Sequence, residues 1–339
     1  MNTNRQWLLS KRPAGMVGPD NFEYAESPIP SPGDGEVLVK NLMFSFDPTQ
    51  RGWMEDRESY LPPVNLGEPM RAGSIGQVSE SKHPDFQPGD VVQTTGGWQD
   101  FVVVSPDQAV MGLNKIPPGI APDMMLSVLG VTGLTAYFGL LDLGDPKEGE
   151  TVLVSGAAGA TGSIAGQIAR IKGCRVVGIA GGPEKCAWLK EEARFDDVID
   201  YKNEDVNRAI AEKCPNKVDV FFDNVGGDIL EAALNHINMR ARVVLCGGIS
   251  GYNATAPIPG PSNLMNLVVM RGRMEGFIVI DYMHKAGEAI EALLGWIQAG
   301  DMIYQVDLQE GFENIPATLQ RLFTGQNIGK QLLKIGDPA

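Results

Sequence analysis

Residues 151–182 place the strongest constraint on the fold of this 339-residue chain. They read TVLVSGAAGATGSIAGQIARIKGCRVVGIAGG: an apolar strand, a glycine-rich turn, a helix and a second apolar strand, the order of a βαβ unit. The alternation continues with DDVIDY, a polar helix around NEDVNRAIAEK, the strand VDVFFDNVGG, a helix from Asp228 to Asn238 and the strand ARVVLCGG. Apolar strands separated by helices predict an α/β fold with a doubly wound parallel sheet covered on both faces.

The turn inside this unit carries a glycine pattern with a specific chemistry. Gly156, Gly159 and Gly162 follow each other at three-residue spacing between the strand and the helix. Glycine permits a tight turn and a close approach to a pyrophosphate, whose charge then faces the N–H groups at the start of the helix. The pattern predicts a dinucleotide-binding Rossmann domain; the alternative is a tight turn without a ligand.

The end of the second strand indicates which dinucleotide is preferred. In NAD-specific domains an acidic side chain at this point accepts a hydrogen bond from the ribose 2′-hydroxyl. This chain has Gly181 and Gly182 there, and Lys185 follows beside Glu184. A lysine and no carboxylate favour NADPH over NADH, unless Lys185 is only a solvated surface residue.

The flanking segments differ from the βαβ region and predict a second domain. Residues 1–121 are rich in short β-type runs, among them EVLVKNLMFSF and GSIGQVSES, separated by Pro/Gly turns. After about residue 305, the extended run IYQVDLQE, a short helix near IPATLQRLFTG and the strand KQLLKIG follow. We expect residues 1–121 and 305–339 to form one β-rich domain, into which a nucleotide-binding domain of residues 122–304 is inserted.

The composition excludes several classes of protein. The chain has 28 Lys and Arg against 42 Asp and Glu, a net charge of −14, which opposes binding to a phosphate backbone, so we expect no nucleic-acid partner. It contains no apolar run long enough for a signal-peptide core or a membrane span, and we expect a cytoplasmic protein without membrane partners. Its four cysteines have irregular spacing and no CxxC pair, which predicts reduced, mostly structural thiols.

A hydride-transfer enzyme must stabilise negative charge on the substrate oxygen with a metal or with hydrogen-bond donors. The first domain has no cysteine and a single histidine, His83, so we expect no metal site and no zinc. Tyr252 is the first candidate donor, because it follows the strand ARVVLCGG and ligands bind beyond the carboxyl ends of parallel strands; the alternative is a loop tyrosine that only packs. Further candidate donors are Tyr60, Tyr201, Thr132 and Asn224.

Several motifs occur together along the whole chain. They are DP-x-x-RG-x-M from Asp47 to Met54, GVTGLTAYFGLLDLG, SGAAGATGSIAGQIARIKGC, GIAGGPEKC, FDNVGG and NIGKQLLKI. With these motifs the chain resembles the medium-chain dehydrogenase/reductase superfamily, in the zinc-independent branch of prostaglandin and leukotriene reductases, alkenal/one oxidoreductases and curcumin reductases. The resemblance implies a GroES-like catalytic domain, a Rossmann domain, a homodimer formed through the nucleotide domain, and NADPH-dependent reduction of the C=C bond of α,β-unsaturated ketones and aldehydes.

The resemblance also implies roles for individual residues. Lys185 and Tyr201 would hold the adenosine ribose phosphate, Asn224 the nicotinamide-side ribose, and Tyr252 would face the substrate. Among the candidate donors, Tyr252 and Tyr60 are the predicted catalytic residues. The remaining cofactor-binding positions that the resemblance implies are Pro48, Thr132, Gly156, Gly159, Ala160, Thr161, Gly162, Gly181, Cys246, Gly247, Ile249, Tyr252, Phe277, Val279 and Asn327.

One segment departs from the family pattern. Where relatives often have DPYMRGRM, this chain has DPTQRGWM, so Thr49, Gln50 and Trp53 are expected to alter the substrate cleft. Two other functions stay open at this point: a quinone reductase of the same superfamily, and a non-enzymatic NADPH-binding sensor.

Overall fold

The structure is a computed structural model, and it describes residues 3–107 and 112–338. The chain divides into two compact units. The first unit combines Met1–Leu126 with Val306–Ala339, and the second is Ser127–Gln305. The second unit is therefore inserted into the sequence of the first.

The first unit is formed by two segments of the chain, one before and one after the second unit. Its first segment contains β1 (Thr3–Leu9), β2 (Phe22–Pro28), β3 (Val37–Ser45), α1 (Thr49–Trp53), β4 (Ser74–Ser81), β5 (Val91–Thr94), β6 (Phe101–Val104), β7 (Asn114–Lys115) and α2 (Pro122–Leu126). The second unit contains α3 (Val131–Phe138), β8 (Thr151–Ser155), α4 (Ala160–Ile171), β9 (Arg175–Ala180), α5 (Pro183–Glu191), β10 (Asp197–Asp200), α6 (Val206–Lys213), β11 (Val218–Asp223), α7 (Gly227–Leu234), β12 (Ile237–Leu245), α8 (Met265–Met270), β13 (Arg273–Gly276) and α9 (Ala286–Gln298). The last segment contains β14 (Val306–Glu310), α10 (Ile315–Thr324) and β15 (Lys330–Lys334).

Shorter helical turns connect some of these elements. Short 3-10 helices lie at Pro19–Asn21, Ile249–Gly251, Val279–Lys285 and Phe312–Asn314, and a π-helix lies at Gly139–Gly144.

The first unit is built on a seven-stranded, mainly antiparallel sheet. Its strand order is β14-β15-β3-β4-β5-β7, and β6 pairs with β3. The last strand of the chain, β15, pairs antiparallel with β3, so Leu332 lies opposite Ser45. Its apolar core includes Phe46 and Trp98, whose ring centroids are 5.8 Å apart and whose side chains are almost fully buried. This unit is the β-rich domain that the sequence predicts.

The second unit is built on a six-stranded sheet in which every pair of neighbouring strands is parallel. The strand order is β10-β9-β8-β11-β12-β13. Leu153, Val177 and Phe221, one from each of three central strands, are fully buried in its core. The predicted doubly wound α/β fold is therefore confirmed.

One local prediction was wrong in detail. The helix predicted from Asp228 to Asn238 ends at Leu234, because the segment after it joins the sheet. Val218 donates its N–H to the His236 carbonyl at 2.9 Å, and Ile237 begins β12 beside Val218.

The strand order of this sheet identifies where a ligand binds. The chain runs from β8 to β9 on one side, and then places β11 on the other side of β8. In open α/β sheets, ligands bind beyond the carboxyl ends of the strands at the point where the order reverses. That point lies between Ser155, the last residue of β8, and Asp223, the last residue of β11.

Candidate functional site

The glycine turn after β8 packs so closely on the start of α4 that a side chain cannot fit at Gly162. Gly156 has a φ of +58°, in the left-handed region that favours glycine. A Cβ on Gly162 would lie 2.4 Å from the Gly156 carbonyl oxygen and 3.0 Å from the Ala157 Cα, both backbone atoms. Gly159 precedes α4 in extended conformation, so Ala160 and Thr161 begin the helix. The N–H groups of this helix start lie beside a tight turn of glycine and alanine residues, a geometry that is suited to binding a pyrophosphate.

A second glycine contact lies at the end of β9, where the adenosine half of a dinucleotide binds. A Cβ on Gly181 would lie 2.7 Å from the ring of Tyr201, so only glycine lets this ring pack against the strand end. The ring is 45% exposed, and it presents a flat surface beside the start of α5. Lys185 lies in the first turn of that helix. The structure therefore brings together the residues predicted for the adenosine ribose phosphate.

Sequence reasoning missed a carboxylate at this end of the sheet. Asp200, the last residue of β10, accepts hydrogen bonds from the Gly182 N–H at 2.8 Å, the Lys202 N–H at 3.1 Å and the Asn203 amide at 2.7 Å. Burial raises the pKa of Asp200, but these three donors outweigh it, and the pKa lies below its usual value. The charge of Asp200 is thus already paired with donors of the protein, and the strand end DDVIDY was the signal that could have found it.

The end of β11 carries a hydrogen-bond network that holds Asn224. The Asn224 side-chain amide donates to the Ser155 carbonyl at 2.7 Å, and the Asn224 N–H donates to the Ser155 hydroxyl at 2.8 Å. That hydroxyl in turn donates to Asp223 Oδ1 at 2.6 Å. The contact with Ser155 fixes the orientation of the Asn224 side-chain amide. The network joins β8 to β11 across 68 or more residues of sequence.

The loop after β12 is hydrogen-bonded to the end of β11. The Cys246 and Gly247 N–H groups both donate to the Asp223 carbonyl, at 2.9 and 3.1 Å. A Cβ on Gly247 would lie 3.3 Å from the Tyr252 hydroxyl and 3.4 Å from the Asn224 carbonyl. The chain therefore brings Tyr252 close to Asn224, beyond the carboxyl ends of β11 and β12.

Tyr252 is held by its own loop. The Gly248 N–H donates to the Tyr252 hydroxyl oxygen at 3.1 Å, and the 3-10 turn at Ile249–Gly251 leads directly into the tyrosine. An N–H that donates to a phenol oxygen stabilises negative charge on that oxygen and strengthens the phenol as a donor. Tyr252 is half-buried, so one part of its ring is accessible. Gly248 was not predicted, although it lies in the run CGGISGY that contains the predicted Gly247, Ile249 and Tyr252.

The other predicted positions of the second unit have different environments. Phe277 follows β13 directly, and a Cβ on Gly139 would lie 2.3 Å from its ring, so the ring packs against the π-helix. Val279 is buried, and the Thr132 hydroxyl donates to the Ser127 carbonyl at 3.0 Å. Burial raises the pKa of the Cys246 thiol to about 12, which keeps it protonated and unreactive at neutral pH.

The first unit contains the predicted residues Pro48 and Asn327 close to one ion pair. Lys330, which is 2% exposed, donates to the Asp47 carboxylate and to the Phe46 carbonyl. The Ser45 hydroxyl also donates to Asp47, at 2.5 Å. The Asn327 side-chain amide donates to the carbonyl of Gly329 at 3.0 Å, and Gly329 directly precedes Lys330. The motifs DP-x-x-RG and NIGK are thus joined by a buried charge pair that sequence reasoning did not predict.

The residues of the segment that departs from the family pattern have different environments in the structure. The Thr49 hydroxyl and the Tyr60 hydroxyl are hydrogen-bonded to each other, and Tyr60 is 44% exposed. Gln50 is 1% exposed, accepts the Asp47 N–H and donates to the Arg71 carbonyl, so it is an interior residue of this turn. The Arg71 guanidinium lies 5.3 Å from the ring centre of Trp53. Gln50 is therefore interior, whereas Thr49 and Trp53 are partly exposed and Tyr60 is exposed.

In residues 3–107 and 112–338, no group of three or more His, Cys, Asp or Glu side chains could hold a metal ion. Among the same residues, no helix has the length and apolar character needed to cross a lipid bilayer.

Comparison with known proteins shows that this chain is similar to oxidoreductases. A family model described as "N-terminal domain of oxidoreductase" matches residues 5–112, and one described as "Zinc-binding dehydrogenase" matches residues 160–298. The chain is 47% identical to the putative NADP-dependent oxidoreductase YfmJ of Bacillus subtilis, over 99% of both chains. It is 42% identical to the NADPH-dependent curcumin reductase of Escherichia coli, over 98% of this chain and 97% of the relative.

A third relative and a solved structure extend this comparison. The chain is 37% identical to the NADP(+)-dependent 2-alkenal reductase of Nicotiana tabacum, over 98% of both chains. CurA of Vibrio vulnificus, solved in complex with NADPH, has a TM-score of 0.93 and 40% identity, over 98% of this chain and all of that chain. The predicted Rossmann and GroES-like architecture is therefore confirmed, and this chain belongs to the medium-chain dehydrogenase/reductase superfamily, in the branch that contains the curcumin and 2-alkenal reductases.

Proposed function

We propose that this protein is an NADPH-dependent, zinc-independent reductase of the C=C bond of α,β-unsaturated ketones and aldehydes. The observation that supports the proposal is the combination, at one edge of the parallel sheet, of a tight glycine turn before a helix, a tyrosine ring packed on Gly181 and the hydrogen-bonded Tyr252 phenol, in a chain 42% identical to an NADPH-dependent curcumin reductase. NADPH, when bound, supplies the hydride. The residues of the chain bind it, orient it and stabilise the charge that forms on the substrate.

Each part of the cofactor has its own group of residues. The N–H groups at the start of α4, beside Gly156, Gly159 and Gly162, would hold the pyrophosphate. Lys185 and Tyr201 would hold the 2′-phosphate on the adenosine ribose, the lysine as a charge partner and the tyrosine as a hydroxyl donor. Asn224 would accept a hydrogen bond from the ribose on the nicotinamide side.

Tyr252 would act on the substrate. When hydride adds to the β-carbon of an enone, the electron pair of the C=C bond moves toward the carbonyl and its oxygen becomes negative. The Tyr252 hydroxyl donates a hydrogen bond to that oxygen, and the Gly248 N–H stabilises the phenol oxygen as its proton is drawn away. A proton then adds to the α-carbon, so the product is the saturated carbonyl compound and oxidised cofactor.

The test of this proposal is a substrate panel. NADPH consumption is followed by absorbance with enones, alkenals, quinones and saturated aldehydes, each with and without a metal chelator. We expect turnover of enones and alkenals that the chelator leaves unchanged, with the saturated ketone or aldehyde as the product. Turnover of quinones alone would instead identify a quinone reductase, and tight NADPH binding without turnover of any compound would identify a sensor.

A single substitution tests the preference for NADPH. Lys185→Ala removes the proposed partner of the 2′-phosphate, and a hydrogen bond between charged groups contributes about 1.5–3 kcal/mol, so the KM for NADPH is expected to rise roughly 10- to 100-fold. The KM for NADH, which lacks this phosphate, should change by less than about twofold. Lys190→Ala on the same helix is the control, because its ammonium group is 59% exposed and lies 3.9 Å from Asp197. Equal effects of Lys185→Ala on both cofactors would exclude the assignment.

We also propose that the protein is a homodimer formed through its second unit, and that it works in the cytoplasm. The support for the dimer is an apolar surface on α8, where Met265, Val268 and Val269 are each more than 60% exposed, next to β13 at the edge of the sheet. Apolar patches and unpaired strand edges are the surfaces that oligomers cover. The mass in solution, measured by light scattering, tests it: twice the chain mass of 36.5 kDa is expected.

A further inference from the structure

We propose that the buried carboxylate of Asp223 places a negative charge beneath the nicotinamide half of the cofactor site, and that this charge makes bound NADPH a stronger hydride donor by stabilising its oxidised form. The inference rests on the proposed function, because it needs a dinucleotide at this edge of the sheet. Asp223 is not a substrate contact in this proposal, and it was not predicted from the sequence.

The strand order places Asp223 under this half of the site. Asp223 ends β11, which lies directly beside β8 at the point where the strand order reverses. A dinucleotide has its pyrophosphate at the glycine turn after β8 and its adenosine ribose at the end of β9. The nicotinamide half must therefore extend over the opposite side, where β11 and β12 end. The Asp223 carbonyl accepts the N–H groups of Cys246 and Gly247 on that side.

The hydrogen bonds around Asp223 are those of an ionised carboxylate. Its side chain is fully buried. It accepts from the Ser155 hydroxyl at 2.6 Å, from the Val225 N–H at 3.0 Å and from the Gly226 N–H at 3.1 Å to each oxygen. Since the Ser155 oxygen itself accepts the Asn224 N–H, the serine hydrogen is directed to Asp223. Every one of these partners donates, which stabilises the anion.

The charge of Asp223 has no cationic partner within the described ranges 3–107 and 112–338. None of the salt bridges of these residues includes it. Burial raises the pKa of Asp223 above its usual value, and the Ser155, Val225 and Gly226 donors offset only part of that rise. A carboxylate that is buried, bound by neutral donors and far from solvent exerts a field that water screens only weakly.

The electric field of the Asp223 carboxylate acts differently on the reduced and the oxidised form of the cofactor. The nicotinamide ring is neutral in NADPH and carries a positive charge in NADP+, so a fixed negative charge lowers the free energy of the bound oxidised form alone. Hydride transfer from the bound cofactor then becomes more favourable, because the positive charge that it creates is already balanced. The same effect makes NADP+ bind more tightly than it would without Asp223.

The alternative is that Asp223 only stabilises the turn at residues 224–226. A purely structural role would weaken the binding of NADPH and NADP+ by the same factor when Asp223 is changed. An electrostatic role changes the ratio of the two dissociation constants. The two roles can therefore be separated by binding alone, without an activity assay.

The experiment compares wild type with Asp223→Asn, which has nearly the same shape without the charge. The Kd for NADPH and the Kd for NADP+ are measured by calorimetry. We expect the ratio Kd(NADP+)/Kd(NADPH) to rise roughly three- to tenfold in the variant. Asp200→Asn is the matched control: it neutralises another carboxylate that binds N–H groups, at the adenosine end, and should leave the ratio unchanged.

The other outcomes are decisive as well. An unchanged or lower ratio in Asp223→Asn would overturn the inference while the proposed function stands. Absence of NADPH binding by the wild type would overturn both. If Asp223→Asn does not fold, as judged by its thermal unfolding, Asp223→Ser gives a neutral side chain that still has an oxygen acceptor for the Val225 N–H, and the same ratio decides.

Discussion

Tyr252→Phe is expected to lower kcat for an enone by roughly 100- to 1000-fold, the loss found when one donor to a developing oxyanion is removed. The phenyl ring keeps the packing of the loop after β12, but it cannot donate to the substrate oxygen or accept the Gly248 N–H. Because the donor acts on charge that appears during the reaction, the Kd for NADPH should stay within about twofold.

The measurement is steady-state turnover of the best enone from the substrate panel, together with NADPH binding by calorimetry. Tyr24→Phe is the matched control, since the exposed Tyr24 is on β2 of the first unit, where its hydroxyl donates to Glu26. Tyr60→Phe tests the other candidate. A change of less than threefold in Tyr252→Phe would remove Tyr252 from the donor role, and a large loss in Tyr60→Phe would transfer that role to Tyr60.

Gly162→Ala is expected to raise the Kd for NADPH at least about tenfold and to lower the free energy of unfolding by roughly 1–3 kcal/mol. The added methyl group would lie 2.4 Å from the Gly156 carbonyl oxygen, which belongs to the backbone and cannot rotate away. The glycine turn must therefore separate from α4, and the N–H groups that bind the pyrophosphate lose their arrangement.

Calorimetry with NADPH and thermal unfolding check this result. Gly295→Ala is the control, because nothing lies within 4 Å of a Cβ at that position and Gly295 is inside α9. It makes the same chemical change and should stabilise the helix by up to about 1 kcal/mol, with unchanged NADPH binding. If Gly162→Ala bound NADPH as tightly as Gly295→Ala, the turn would not be the pyrophosphate site.

Residues 49–53 differ from the family pattern, and the family comparison alone does not predict the environment of each residue. The sequence marks Thr49, Gln50 and Trp53 as equally different from relatives. The structure separates them: Gln50 is buried and bonded to the backbone, while the Thr49 hydroxyl pairs with the exposed Tyr60. The difference arises because exposure depends on neighbours such as Arg71, which local sequence does not reveal.

The sequence by itself determined the strand, turn and helix of residues 151–182, the cofactor class and the family. The first two follow from local properties: the period of apolar residues, the backbone freedom of glycine and the absence of an acidic residue at Gly181 and Gly182. The family follows from the resemblance of motifs along the chain. Only the tertiary structure decided that β12 begins at Ile237, and that Ser155 and Asp223 share a hydrogen bond across 68 residues. Strand pairing and buried polar contacts join segments distant in the chain, and their partners are selected by packing and by the need to satisfy every buried polar group.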